Sequence, residues 1–273
     1  MSGAANAFES RVAVITGGGS GIGLAVARAL AVRGARLVLA DVDRTALEEA
    51  RKELAERGGD VLVVPTDVAD RASVEALAEA TYGHFGAAHI LCNNAGIAVF
   101  GSLVDAKPLD WEKTMSINFW GVVHGIDAFV PRMIAQPDGA HIVNTASMAG
   151  LVGMQGMGIY CATKFAVVGL SESLRRDLRE HGIGVSVLCP MIVDTNINAN
   201  SARTLGRSKP LDTTDAAPSQ PPMSGGVIGP EQVAERVLSG IERGDLYILT
   251  HPEQRDFLTR RAARLDAVFA EGF

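Results

Sequence analysis

Tyr160 and Lys164 stand four residues apart in a helix-patterned stretch, the spacing that puts two side chains on one face. A tyrosine hydroxyl titrates near ~10, and an ammonium beside it favours the phenolate. Such a pair can take a proton from a hydroxyl group or return one to a carbonyl oxygen, the work of a general acid/base. A second group of residues suits an anion. Thr16-Gly17-Gly18-Gly19-Ser20-Gly21-Ile22-Gly23 follows an apolar run and opens a helical pattern. Glycines there let the backbone turn tightly and approach a pyrophosphate, whose charge sits at the helix N-terminus. The spacing is T-G-x-x-x-G-x-G, and G-x-G-x-x-G is not met in any register. Asp41 closes the next apolar run, Leu37–Ala40, where a carboxylate can accept both hydroxyls of an adenosine ribose and repel a 2′-phosphate. Ser20 and Val42, the nearest places for a phosphate-binding cation, are uncharged, which favours NAD. Arg33, Arg36 and Arg44 are the cations that an NADP-binding alternative would use.

These residues need a scaffold that gathers strand ends. Short Val/Ile/Leu-rich runs predict strands at Val12–Thr16, Arg36–Ala40, Val61–Thr66, His89–Cys92, His141–Ala146, Gly184–Cys189 and Leu246–Thr250. Several are apolar on consecutive positions, as in parallel strands covered on both faces. Helical patterns lie between them at Gly21–Arg33, Arg44–Arg57, Asp70–Phe85, Asp110–Ile134, Tyr160–His181 and Pro230–Arg243. The alternation predicts an α/β fold, a Rossmann-like doubly wound parallel sheet of about seven strands with helices on both faces. The 273 residues are expected to form one domain, with residues 9–193 as its cofactor-binding and catalytic core. Residues 194–229 carry four prolines and four glycines and little periodicity, so they are expected to be an irregular substrate lid. Residues 252–273 are expected to be a helical tail.

At 47% hydrophobic and 21% charged, the chain is no disordered polymer. Its net charge of −6, without a basic stripe, argues against nucleic acid and anionic membrane as partners. Cys92, Cys161 and Cys189 lack metal-ligand spacing and read as buried thiols of a reducing compartment, and no metal is expected. The first residues show neither a basic nor an apolar leader region, so the expected location is cytoplasmic.

Taken together, the motifs resemble the short-chain dehydrogenase/reductase family over about residues 9–250. Thr16 to Gly23 is similar to that family's cofactor turn, Asn93-Asn94-Ala95-Gly96 to its adenine-side motif, and Asp67-Val68 to its adenine contact. Asn118, Ser147, Tyr160 and Lys164 match its catalytic tetrad, with Ser147 and Tyr160 thirteen apart. The resemblance implies that Ser147 holds the substrate oxygen, that Lys164 also grips the nicotinamide ribose, and that Asn118 serves a water-borne proton relay. It implies cofactor contacts from Gly17, Gly19, Ser20, Gly21, Ile22, Gly23, Asp41, Asp67, Val68, Asn94, Ala95, Gly96, Tyr160 and Lys164. Pro190, Val193 and Thr195 match the nicotinamide-side segment, whereas Met191 replaces the family's usual glycine and brings a side chain beside the substrate cleft.

The implied reaction is hydride transfer between NAD and a secondary alcohol or its ketone. The alternatives are an NADP-dependent ketone reductase and a catalytically silent NAD-binding regulator. Met148, Met154, Met157, Met191 and Met223, with Ile97, Val99, Phe100, Leu151 and Val152, suit a hydrophobic substrate, and Met148 and Met191 join Ser147 and Tyr160 as expected substrate contacts. Segments Phe129–Ile134, His141–Val143, Gly182–Val187 and Leu246–Leu249, with Pro252 and Glu253, resemble bacterial dehydrogenases of benzylic Cα alcohols from lignin aryl ethers. The helix with Phe119, Trp120, Val122, Val123, Ile126, Phe129, Val130 and Met133 is apolar over more than one stripe and needs cover. The family implies a homodimer or homotetramer there.

Overall fold

Strands buried on both faces need apolar side chains at odd and even positions alike, and β1 (Val12–Thr16) shows why. Ala13 and Ile15 join one apolar layer while Val12 and Val14 join the other. The computed structural model describes residues 7–207 and 225–270. In chain order β1 is followed by α1 (Gly21–Val32), β2 (Arg36–Asp41), α2 (Arg44–Glu56), β3 (Val61–Pro65), α3 (Arg71–Phe85) and β4 (Ile90–Asn93). Then come α4 (Pro108–Met115), α5 (Gly121–Ala135), β5 (Ala140–Thr145), α6 (Gly158–Asp177), β6 (Ile183–Cys189), α7 (Ile197–Thr204), α8 (Pro230–Arg243), β7 (Tyr247–Leu249) and α9 (Gln254–Ala270).

The seven strands lie in the order β3-β2-β1-β4-β5-β6-β7, and every pair is parallel. Helices α1, α2 and α8 pack on one face, on Ile15, Leu37, Leu39 and Leu188. Helices α3, α5 and the end of α6 pack on the other, on Val14, Leu91, Ile142 and Val185. This is the expected Rossmann-like sheet. Chain direction across the sheet reverses between β1 and β4, which opens a crevice at their C-terminal ends. No helix among the described residues is long and apolar enough to cross a membrane.

Two expectations are corrected. The stretch Asp110–Ile134 is not one regular helix: between α4 and α5, Ser116–Trp120 forms a π turn. That widened turn carries Asn118, whose buried amide is bonded to neighbouring segments, and such turns often mark functional sites. Nor is residues 194–229 irregular throughout, because Ile197–Thr204 forms α7. Its buried Ser201 accepts from Ala98 N at 2.8 Å and donates to Ile197 O at 2.6 Å. An eight-residue helix is too short to declare itself by periodicity. Residues 208–224 of the expected lid, with Met223, lie outside the described residues.

Candidate active site

The crevice is tied together at its base by Thr16. Its hydroxyl accepts from Asn94 N at 2.9 Å and Ala95 N at 3.1 Å, and Asn94 Nδ2 donates to Thr16 O at 3.0 Å. These bonds fasten the end of β1 to the end of β4. Gly17 follows at φ +66°, and a Cβ there would lie 3.0 Å from both Asn94 Nδ2 and Ala95 Cα. At Gly23 a Cβ would run into the Gly17 carbonyl, so the first turn of α1 lies directly on the glycine turn. Ser20 is the N-cap but makes no side-chain cap bond, and α1 has no acidic residue in its first turn. The first-turn amides of Gly21, Ile22 and Gly23 lack intrahelical acceptors, as at any helix start, and suit an anion.

Asp41 stands beside this turn. One carboxylate oxygen accepts from Gly19 N and the other from Asp43 N, each at 3.1 Å. Of the three arginines an NADP alternative would use, Arg33 pairs with Glu235 at 2.7 Å and Arg36 bonds Ser10 O at 2.9 Å. Arg44 is the first residue of α2 and is exposed. Asp67 is exposed and accepts from Ala69 N at 2.9 Å, while Val68 is buried with its carbonyl 2.9 Å from His124 Nδ1.

The ends of β5 and β6 supply side chains. Tyr160 lies in the first turn of α6 with Lys164 one turn on, and Lys164 Nζ sits 5.6 Å from the centroid of the tyrosine ring. Lys164 is 3% exposed, and its ammonium donates to Thr145 O at 2.8 Å. Burial drives the Tyr160 phenol up to about 12, with a hydrogen bond to Ser147 working the other way. Burial likewise pulls Lys164 down to about 8. In this state desolvation is the largest influence on Tyr160, and it favours the neutral phenol. Ser147 is held by accepting from Ala149 N at 3.1 Å and by Pro190 O at 3.5 Å.

Asn118 is wholly buried. Its Oδ1 accepts from Ile97 N at 2.8 Å, and its Nδ2 donates to Ile97 O at 2.9 Å and to Thr163 Oγ1 at 3.2 Å. Gly96 passes close by, where a Cβ would lie 3.2 Å from Asn118 Oδ1 and 3.5 Å from Lys164 Nζ. Asn118, Ser147, Tyr160 and Lys164 thus gather at one end of the sheet, next to the glycine turn.

The segment after β6 joins both sides. Pro190 O accepts from Met148 N at 2.7 Å, Val193 pairs with Ile228 in an isolated bridge, and Thr195 reaches Gly21, where a Cβ would lie 3.4 Å from its methyl carbon. Met191 fills the space against Gly225, so its side chain occupies a gap that a glycine would leave open. Met148 is wholly buried with its sulfur 3.4 Å from Gln254 Nε2. Ala98, Ala149, Cys161, Phe100, Met154, Met157, Phe165 and Ile197 surround Tyr160 with apolar surface. The sequence places Thr16 in the cofactor turn but gives no sign that it holds Asn94, and it does not signal Thr145 and Thr163, which hold Lys164 and Asn118. Their partners are local only in space, so no spacing signals them. No cluster of His, Cys, Asp or Glu able to hold a metal occurs among the described residues.

A profile of the short chain dehydrogenase family matches residues 11–206. The chain is 35% identical over 267 residues to the C alpha-dehydrogenase of a Sphingobium species, covering 96% of this chain and 87% of that protein. It is 34% identical over 245 residues to the probable oxidoreductase EphD of Mycobacterium tuberculosis, covering 86% of this chain. The chain spans 40% of the length of the curated EphD relatives. Among solved structures, a short chain dehydrogenase/reductase from Burkholderia phymatum in complex with NAD superposes with a TM-score of 0.86 at 40% identity, covering 95% of both chains.

Proposed function

The chain belongs to the short-chain dehydrogenase family of oxidoreductases, and from that premise we propose that it transfers a hydride between NAD and a hydrophobic secondary alcohol or its ketone. The observation that carries the reading is the convergence of Ser147, Tyr160 and the buried Lys164 beside a turn shaped for a pyrophosphate. The residues fit a dinucleotide. A Cβ at Gly17 or Gly23 would strike the adjoining backbone or Asn94 and deform the turn, and Asp41 braces that turn where an adenosine ribose would meet its carboxylate. Gly17, Gly19, Ser20, Gly21, Ile22 and Gly23 would hold the pyrophosphate end, Asp67, Val68, Asn94, Ala95 and Gly96 the adenine side, and Pro190, Val193 and Thr195 the carboxamide end.

When bound, NAD supplies a carbon that accepts or returns the hydride. Tyr160 moves the proton at its Oη, Ser147 orients the substrate oxygen, and Lys164 lies close enough to favour the phenolate while its amine stays protonated. Because burial keeps the phenol protonated at neutral pH, it stands ready to donate to a ketone. Alcohol oxidation needs the phenolate and therefore accelerates as pH rises, whereas reduction slows. Asn118 fixes the loop at Ile97, and the family resemblance gives it a place in the proton relay.

Apolar surroundings at Tyr160 favour a bulky hydrophobic alcohol, and the likeness to a C alpha-dehydrogenase supports a benzylic one. Trp120, half exposed, with Trp111, Leu109 and Val104, supports a homodimer or homotetramer that covers the α4–α5 face. The test is an absorbance screen with NAD and NADP over aryl benzylic alcohols, hydroxysteroids, sugar alcohols and hydroxyacyl thioesters. NAD-linked turnover of the first two classes is expected. A preference of about tenfold for the last two, roughly 1.4 kcal/mol of discrimination, overturns the apolar-cleft reading. Better turnover with NADP overturns the cofactor choice.

A further inference from the structure

Gln254, the first residue of α9, is wholly buried although most of that helix is exposed. It lies outside residues 11–206, the stretch that the family profile matches. Its carboxamide has two acceptor sites and two donor hydrogens, and all four are engaged. Oε1 accepts from Thr250 N and His251 N, both at 2.9 Å, while Nε2 donates to Cys189 O at 2.9 Å and faces Met148 Sδ at 3.4 Å. Met148 follows Ser147 directly, and Cys189 precedes Pro190, whose carbonyl receives Met148 N and lies 3.5 Å from Ser147 Oγ. One side chain therefore clamps the two loops that fix the serine.

The residues before it extend the clamp. Thr250 Oγ1 accepts from Met191 N at 3.3 Å and lies 2.7 Å from His251 Nδ1, while His251 Nε2 lies 2.9 Å from Gly226 O. Gly226 O can only accept, so in the neutral ring Nε2 carries the hydrogen and Nδ1 receives the threonine hydroxyl. The corner at residues 250–254 thereby joins the loops after β5 and β6 to Gly226. Burying a carboxamide costs free energy that an apolar side chain of similar size avoids. A fully satisfied buried network instead rigidifies what it touches, and here it touches the neighbours of Ser147.

We propose that Gln254 is a positioning residue: by bonding Cys189 O and Met148 it holds Ser147 and the Pro190–Met191 loop in register for the reaction. The proposal rests on the reading of Ser147 given above. The test compares the full chain with Gln254→Met, which keeps the bulk and loses the bonds. Two readouts are taken: steady-state kinetics with NAD and the best alcohol of the screen, and amide hydrogen exchange, which needs no turnover. The expected result is a fall in kcat of about ten- to a hundredfold, the scale of a small misplacement of a reacting group, with KM and cofactor Kd little changed. Exchange should quicken in residues 147–152 and 189–193 and stay unchanged in residues 12–23.

Unchanged kcat in the folded variant, or exchange unaltered in both loops, overturns the proposal. So does a general loosening in which cofactor affinity and exchange at residues 12–23 worsen together, because that is a merely structural role. If wild-type protein oxidises no alcohol, the proposed function fails, and loop exchange alone decides whether Gln254 holds the loops. If Gln254→Met does not fold, Gln254→Glu decides the same point, since it keeps both acceptors and removes both donors.

Discussion

The end of β1 offers main chain to a ligand, whereas the ends of β5 and β6 offer side chains. At the first, Gly17 and Gly23 matter for what they lack: a Cβ at either would strike the adjoining backbone or Asn94. At the second, Lys164 is buried with its ammonium on Thr145 O, and Asn118 is buried with its amide on Ile97 and Thr163. A site made of amides fails when atoms are added. A site made of buried titrating groups fails when atoms are removed or protons shift. Each expectation below separates these two kinds of failure.

Tyr160→Phe should show the largest effect. Removing one oxygen deletes the proposed acid/base while leaving the ring in its apolar surroundings. Turnover should fall by roughly 10²–10⁴-fold, the range for a positioned proton-transfer group. Cofactor affinity, measured by fluorescence titration, should largely persist because the glycine turn is untouched. Near-wild-type turnover would show that the β5–β6 end does not carry the proton.

Gly23→Ala tests the other end and should reverse the pattern. The added methyl meets the Gly17 carbonyl, backbone that cannot yield cheaply. Overpacking of this kind costs about 1–3 kcal/mol. Directed at the turn, it should weaken cofactor binding by up to about a hundredfold, while kcat at saturating cofactor changes little. If affinity stays at the wild-type value, the turn is not the cofactor's cradle.

The same contrast explains what could be read from the residues alone. Glycine spacing, consecutive apolar runs and Asp41 at a strand end are local signals, so the sheet and the turn are legible in the sequence. Tyr160 and Lys164 were legible as a helical pair, and Ser147 and Asn118 through family resemblance. The partners that hold them were not: Thr145 is 19 residues from Lys164, Ile97 is 21 from Asn118, and Cys189 is 65 from Gln254. The π turn and α7 were missed for a related reason. Each is shorter than the window over which a period can be recognised. The upward shift of Tyr160 was hidden too, because its cause is burial, to which residues far off in sequence such as Ala98, Phe100 and Ile197 contribute.

Acid should next probe burial in the sheet itself, away from both ends. His141, at the start of β5, is pulled down to about 4, first by burial and then by Arg175 nearby, with Nε2 placed 2.8 Å from Ser186 Oγ. Its folded-state pKa lies below the usual 6.5, so the unfolded chain takes up the proton first. Stability is then lost as pH falls from about 6.5 towards 4. From pH 7 to pH 5 this one residue should cost about 2 kcal/mol. Urea unfolding of wild type and His141→Gln at both pH values reads the difference, and the variant should lose that much less on acidification. An equal loss in both proteins would mean that this histidine is not held neutral by the fold. His89, also lowered mainly by burial, contributes to both proteins alike.

The smallest effect expected is on cofactor choice, where the amide-built end depends on its one carboxylate. Asp41 reaches Gly19 N and Asp43 N with separate oxygens, so its charge stands at the edge of the turn, where a 2′-phosphate would have to approach. Asp41→Ser keeps a small polar acceptor and removes the repulsion. Kinetics with both cofactors should show the ratio of kcat/KM for NAD over NADP falling by about tenfold, roughly 1.4 kcal/mol, with the loss of ribose contacts lowering NAD efficiency and exposed Arg44 nearby to favour the phosphate. Turnover at saturating NAD should stay close to wild type, because the carboxylate of Asp41 is bonded to Gly19 N and Asp43 N and not to Tyr160 or Lys164. A ratio that does not move would place the discrimination elsewhere, and a fall in kcat matching Tyr160→Phe would mean that the two ends are not separable at all.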